Sequence, residues 1–82
     1  MLKEPIEVMV ISGNKIVLVQ DEQGIFVYVN DINNPRYKAK FSISDNTVQQ
    51  LDSTYPKGKN KEIIMDVINN LPFIQEEVEC LP

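Results

Sequence analysis

The sequence contains no histidine, only one cysteine and three glycines among its 82 residues. Without histidine, the ordinary general base near neutral pH is missing, and so are the Ser-His and Cys-His nucleophile arrangements. A single cysteine cannot form an internal disulfide, and without histidine it cannot build a zinc site of the His/Cys type. We therefore expect a protein that is not an enzyme, with no catalytic residue, no bound metal and no cofactor.

Sequence patterns that indicate a phosphate-binding loop or a cation site are also absent. The three glycines are too scattered for a phosphate-binding loop, and Lys57-Gly58-Lys59 lacks the spacing that such a loop requires. The acidic residues Glu76, Glu77 and Glu79 fall in the C-terminal tail, where a solvated charge run is expected in preference to a calcium or magnesium site. Cys80 is expected to be an incidental free thiol.

Long apolar runs are absent as well. No run approaches the roughly 20 residues needed to span a bilayer, and the N-terminal residues 1–5 carry no targeting pattern, so we expect an untargeted, cytoplasmic protein. With 43% hydrophobic and 24% charged residues, the composition is that of a folded globular protein. The length predicts a single domain over residues 1–82, with 1–5 and 73–82 as candidates for flexible ends.

What the sequence has in surplus is apolar strand residues. Residues 6–11, 15–20 and 25–29 are apolar at nearly every position, and Gly13-Asn14 predicts a tight hairpin between the first two segments. Opposite residues of antiparallel strands share a face, so both faces of the predicted sheet are apolar. Face one would carry Met9, Ile11, Ile16, Leu18, Ile25, Val27 and Val29. Face two would carry Ile6, Val8, Val10, Val17, Val19, Phe26 and Tyr28.

The second half of the chain predicts one more strand and then helices. Alternation of apolar and polar residues over 36–43 indicates a fourth strand, at an edge of the sheet. Ser44 could cap a short helix through Leu51, and a longer amphipathic helix would run from an Asn60 cap to Leu71, stopped by Pro72. The prediction is an α+β fold: an antiparallel meander of about four strands, then one short and one longer C-terminal helix.

Face two needs a cover in this fold, because one longer helix covers only one face. The expected cover is a second copy, which would pair either sheet faces or sheet edges. In the alternative, the tail or a strongly curved sheet buries face two within a monomer. The predicted interface consists of the face-two residues Ile6, Val8, Val10, Val17, Val19, Phe26 and Tyr28.

Basic residues are concentrated in one window. Six of the eight basic residues and only two of the twelve acidic ones lie between positions 36 and 61, which gives that window +4 and the rest of the chain −8. Such a window is compatible with an anion-binding patch. With tyrosines as stacking partners, the patch could bind a single-stranded nucleic acid. Its members would be Arg36, Lys38, Lys40, Lys57, Lys59 and Lys61.

Two resemblances bear on function. Residues 41–45, followed by Val48 and Leu51, resemble the strand-to-helix junction of the transcriptional coactivator family, which implies a dimer that binds single-stranded DNA. Residues 24–34 and 65–69 resemble small uncharacterised proteins from early gene clusters of phages of Gram-positive bacteria, which implies an accessory protein that acts by binding. We therefore expect an interaction protein that binds and modulates a protein partner as a homodimer. The alternative is a single-stranded nucleic-acid-binding protein.

Overall fold

The sheet is a five-stranded antiparallel meander in which every strand pairs with its neighbour in the chain. The computed structural model describes residues 4–81. The elements are β1 (Ile6–Ile11), β2 (Asn14–Asp21), β3 (Gly24–Asp31), β4 (Lys38–Ser44), β5 (Thr47–Ser53), α1 (Lys57–Asn69) and α2 (Leu71–Glu79). The α+β prediction is confirmed, with one strand more than expected. Residues 1–3 and 82, at the ends marked as candidates for flexibility, lie outside the described residues.

The segment predicted as a short helix from Ser44 to Leu51 instead forms the β4–β5 hairpin. Its two central residues, Asp45 and Asn46, have φ of 49° and 64°. Asp and Asn tolerate this left-handed conformation, and two such residues in succession match the twist of a two-residue hairpin. Because β5 pairs with β4, β4 is an interior strand, and its prediction as a sheet edge is wrong. The junction compared with the coactivator family is therefore strand to strand.

The first hairpin turns one residue earlier than the Gly13-Asn14 prediction. Ser12 and Gly13 form its centre, with φ of 51° and 77°, and Ile11 pairs with Asn14. Relative to the predicted pairing, Met9, Val10 and Ile11 are each displaced by two positions along β2. A displacement of two keeps these three side chains on their predicted faces, since strand side chains alternate with a period of two.

An irregularity in β1 changes the face of two predicted interface residues. The register shifts between Glu7 and Met9, which leaves Val8 as an extra residue in a β-bulge and places Ile6 opposite Leu18 on face one. Ile6 and Val8 both pack against the core. Their predicted placement on face two is therefore wrong.

Helix α1 begins earlier and ends earlier than predicted. Asn60 lies inside the first turn and does not cap the helix. Its Oδ1 atom accepts hydrogen bonds from Gln50 Nε2 at 2.9 Å and from Ser53 Oγ at 2.6 Å. These contacts attach the start of α1 to β5.

The chain continues as a helix beyond the predicted stop. Pro72 lies in the first turn of α2, where its missing N–H costs nothing. Asn70 joins the two helices, and its Nδ2 atom donates to the carbonyl oxygen of Asp66 at 2.8 Å. Much of the predicted tail, through Glu79, thus belongs to a second helix.

Both helices pack on face one. Ile63 and Val67 of α1 and Ile74 of α2 are buried against the sheet. Burying a side chain of this size contributes about 1.5–3 kcal/mol. The strand residues of this core are Ile16, Leu18, Val27, Val29, Ala39 and Phe41.

Candidate functional site

Face two is the surface of the sheet against which no helix of residues 4–81 packs. The strand pairing places its side chains in rows that cross the sheet. The central row runs Glu7, Val17, Tyr28, Lys40 and Asp52 across the five strands. Charged residues thus flank a pair of apolar residues in the middle of the face.

An apolar block lies at the centre of face two. We use this name for Val17 and Val19 of β2 and Phe26 and Tyr28 of β3, which are directly paired as Val17–Tyr28 and Val19–Phe26. Val17, Val19 and Tyr28 are half-buried, and Phe26 is 9% exposed. Val10, near one edge of the same face, is 51% exposed. The apolar part of face two is therefore a compact block, smaller than the sequence indicated.

Lys40 covers part of the block. Its ammonium nitrogen lies 4.3 Å from the centre of the Phe26 ring and 5.7 Å from that of Tyr28. A cation over an aromatic face contributes about 0.5–1 kcal/mol where solvent has access. Beside it, Tyr28, Lys38, Lys40 and Asp52 help to line a shallow groove of about 180 Å³. This part of face two can therefore offer aromatic, cationic and anionic groups within one small area.

The structure separates the six residues of the predicted basic patch. Lys38 and Lys40 lie on face two, whereas Lys57, Lys59 and Lys61 belong to the first turns of α1, which packs on face one. Lys59 Nζ forms an ion pair with Asp31 Oδ2 at 2.7 Å. The sixth member, Arg36, is exposed in the loop before β4. The patch does not form one continuous surface with its charges free.

A buried polar cluster lies where face one meets the start of α1. Asn14 and Asp31, opposite each other on β2 and β3, are 3% and 6% exposed. Asn14 Nδ2 donates to the carbonyl oxygens of Ile11 and Ser12 at 3.3 and 3.1 Å. The Tyr55 hydroxyl donates to Asn14 Oδ1 at 3.0 Å. The cluster thus connects the first hairpin to the segment that leads into α1.

Hydrogen bonds and burial shift the pKa values of two residues in this cluster, Asp31 and Tyr55. The hydrogen bond from Lys59 holds the pKa of Asp31 below its ordinary value, helped by the backbone N–H of Asn33 and opposed by burial. Burial, together with the negative charge of Asp31, raises the pKa of Tyr55 from 10.0 to about 12. Asp31 is thus held charged and Tyr55 neutral near neutral pH. This cluster could not be predicted from the sequence, because its members are widely separated in the chain.

A cavity of about 460 Å³ adjoins the cluster between the first hairpin and α1. Lys59, Lys61, Glu62 and Asp66 help to line it. Burial and the neighbouring charge of Glu62 raise the pKa of Asp66. The cavity wall therefore carries both signs of charge, and Lys59 is already paired with Asp31. This mixture does not indicate one class of ligand.

A second apolar surface lies at the junction of the helices. A groove of about 690 Å³ runs between the β4–β5 turn at Asn46 and the α1–α2 corner. Ile68, 47% exposed, lies on its wall, and Glu76 and Glu79 supply negative charge. The Oε1 atom of Gln75, which also lines the groove, is buried without a hydrogen-bond partner. The groove combines apolar and acidic groups on the side of the molecule away from face two.

Within residues 4–81, no group of three or more His, Cys, Asp or Glu side chains is placed to hold a metal ion. No helix in that part of the chain is long and apolar enough to cross a membrane. Cys80 is exposed and carries a free thiol.

The apolar block therefore stands out as the candidate site on geometric grounds. A fold of this kind can support many functions, so the function has to be argued from the surface itself. In comparisons with family models, curated proteins and solved structures, the chain has no significant match.

Proposed function

We propose that this chain is a non-enzymatic interaction protein that pairs with a second copy through face two. The paired molecule then presents the apolar and acidic groove at the α1–α2 corner to a protein partner, which it modulates. The observation that carries the proposal is the apolar block on a sheet face against which no helix of residues 4–81 packs. Apolar side chains gathered on one exposed face are typical of protein-binding surfaces.

The edges of the sheet favour pairing of faces over pairing of edges. Both edge strands carry a register irregularity, at Val8 in β1 and at Leu51 in β5. A bulge disrupts the row of hydrogen-bonding groups that another strand would need, and natural sheets use bulges to prevent edge-to-edge association. Of the two modes that the sequence left open, the face-to-face mode is therefore preferred.

The size of the surface sets the expected affinity. Strands about 4.8 Å apart and a side-chain repeat of about 6.8 Å give four strands and three rows a projected face of about 400 Å². A standard specific interface buries about 800 Å² per partner. We therefore expect a reversible dimer with a dissociation constant in the micromolar range or weaker, which depends on protein concentration.

Sedimentation equilibrium across a concentration series tests this proposal. The series should run from about ten micromolar to about one millimolar, which brackets a weak interface. We expect the mass to rise towards that of a dimer, and Val17→Asp to keep the protein monomeric throughout. Met65→Asp is the matched control, because Met65 is 52% exposed on α1, away from face two. A wild-type protein that stays monomeric at the highest concentration would refute the proposal.

A second candidate function is favoured by the contact between Lys40 and the two aromatic rings. Aromatic side chains on an open sheet, with lysines beside them, are the elements with which proteins bind single-stranded nucleic acids. Tyr55, in contrast, is 7% exposed and is not accessible for base stacking.

Titration with a fluorescent single-stranded oligonucleotide at two salt concentrations distinguishes this candidate. Nucleic-acid binding should weaken steeply with salt, and the double substitution Lys38→Glu, Lys40→Glu should abolish it. Pairing through the apolar block should depend much less on salt, because apolar contacts are not screened by ions. No binding at low salt would eliminate the nucleic-acid candidate and leave the first proposal intact.

A further inference from the structure

The four positions of the central row of face two that run from β1 to β4 are self-complementary in charge, and Asp52 on β5 lies outside them. Read from β1 to β4, the row presents a carboxylate at Glu7, two apolar residues at Val17 and Tyr28, and an ammonium group at Lys40. A homodimer is almost always built around a two-fold axis, so each residue of one copy has a defined counterpart on the other. The order of charges in this row therefore restricts how two copies can meet.

When two sheets stack with their strands nearly aligned, a two-fold axis between them runs either across the strands or parallel to them. An axis along the central row would place each residue of the row opposite itself. Glu7 would face Glu7, Lys40 would face Lys40 and Asp52 would face Asp52. Like charges in contact across an interface are unfavourable, so this arrangement is disfavoured.

An axis parallel to the strands, midway between β2 and β3, gives the opposite result. We propose that two copies pair about this axis, so that Glu7 of each copy forms an ion pair with Lys40 of the other. The same operation places Val17 against Tyr28 of the second copy, and Val19 against Phe26. The apolar blocks of the two copies then pack against each other, with an ion pair between Glu7 and Lys40 on either side.

The dimensions of a sheet permit this pairing. Glu7 and Lys40 each lie about one and a half strand spacings, roughly 7 Å, from the axis. Stacked sheets cross at about 30°, which displaces the two residues by about 4 Å relative to each other. A glutamate and a lysine can bridge that offset, because both side chains are long and flexible.

Two existing contacts have to change when the copies meet. Lys40 leaves the Phe26 ring, which the valines of the second copy then cover. Glu7 leaves Lys15, whose Nζ is 3.9 Å from Glu7 Oε2. Both residues of that ion pair are well exposed, with side chains 44% and 56% accessible for Lys15 and Glu7, so little stability is lost.

A charge-swap experiment measures whether Glu7 and Lys40 interact across the interface. This inference depends on the proposed dimer, and the dissociation constants of four proteins are compared by sedimentation equilibrium. We expect Glu7→Lys and Lys40→Glu each to weaken the dimer about ten-fold or more, since each breaks two ion pairs and creates repulsion. The double variant should return to within about three-fold of the wild type.

Lys38→Glu is the matched control for Lys40→Glu. Lys38 lies on the same strand and face, one row away, and the proposed axis places it opposite Val10. Its reversal should weaken the dimer by less than about three-fold, and Glu7→Lys should not rescue it. Circular dichroism would confirm that every variant is folded.

The failures of the two proposals are distinguishable. If the wild type dimerises and Val17→Asp abolishes the dimer, but the double variant is no better than the single ones, face two is the interface and the proposed axis is wrong. In that case Glu7→Gln should strengthen the dimer if the axis lies along the row, because Glu7 then faces itself. If the wild type never dimerises, both proposals fail together.

Discussion

Replacing Tyr55 by phenylalanine tests how much the buried polar cluster contributes to stability. The substitution removes one hydroxyl group, whose oxygen lies 3.0 Å from Asn14 Oδ1. Tyr55 and Asn14 are 7% and 3% exposed, so water cannot easily replace the lost donor. Leaving a buried acceptor unsatisfied costs about 1–3 kcal/mol, a large fraction of the roughly 5–10 kcal/mol that stabilises a domain of this size.

Urea denaturation followed by circular dichroism measures this loss. We expect the urea concentration at the midpoint of unfolding to fall. The slope of the free energy of unfolding against urea concentration should stay unchanged, because the core is not rearranged. A loss of 1–3 kcal/mol corresponds to a melting temperature lower by roughly 4–20 °C for a domain of about 80 residues. Tyr37→Phe is the control, since it keeps the aromatic contact between the Tyr37 and Tyr55 rings, whose centres are 5.9 Å apart.

The same variant changes the response to alkaline pH. Because the pKa of Tyr55 is raised from 10.0 to about 12, its contribution to stability is fully present below pH 10 and is lost as the pH rises through about 12. The absorbance of tyrosinate should therefore show a late titration in the wild type that is missing from Tyr55→Phe. At neutral pH, a free energy of unfolding of Tyr55→Phe within about 0.5 kcal/mol of the wild-type value would refute the reasoning about the unsatisfied Asn14 acceptor.

The remaining predictions concern the first hairpin and acid pH. Ser12→Asn should raise the free energy of unfolding by about 0.5–1 kcal/mol, because Ser12 has φ of 51° and asparagine tolerates that conformation better; an unchanged urea midpoint would contradict this. Because Lys59 lowers the pKa of Asp31, stability from this pair is present above the unfolded pKa of about 3.9 and is lost as the pH falls through the lower folded value. Asp31→Asn should be less stable at pH 7 and lose less stability on acidification, and equal acid dependence of both proteins would show that the ion pair contributes little. Asp66, whose pKa is raised, should act in the opposite direction and favour the fold at lower pH.

The first three strands and their faces could be predicted because alternation is a robust signal. Most of face one and the apolar block can be assigned correctly even with the first hairpin centred on the wrong residue, since the pairing error at Met9, Val10 and Ile11 is two positions and not one. Val8 shows the limit of this reasoning. A bulge inserts a residue without any change in the apolar pattern, so alternation alone predicts the wrong face for Ile6.

The fifth strand could not be predicted for a different reason. Ser44-Asp45 is a good helix start, and Val48 and Leu51 have helical spacing. The same residues also suit a hairpin, because Asp45-Asn46 can form its turn and Val48 and Gln50 point to one side. Local preferences are balanced here, and pairing with β4 decides the outcome. The buried polar cluster also depends on tertiary contacts that local sequence patterns do not reveal, since Asn14 and Tyr55 are 41 residues apart.

The neighbour-to-neighbour order of the strands has a consequence for the rate at which this chain folds. Each hairpin can form from residues close in sequence, so little entropy is lost in closing loops and folding should be fast for a protein rich in strands. The contacts of Tyr55 with Asn14 and of Lys59 with Asp31 span 41 and 28 residues and require the meander to be in place. We expect them to form after the transition state, so Tyr55→Phe should accelerate unfolding and leave the refolding rate nearly unchanged. The buried polar cluster would thus determine how long the native state persists once it has formed.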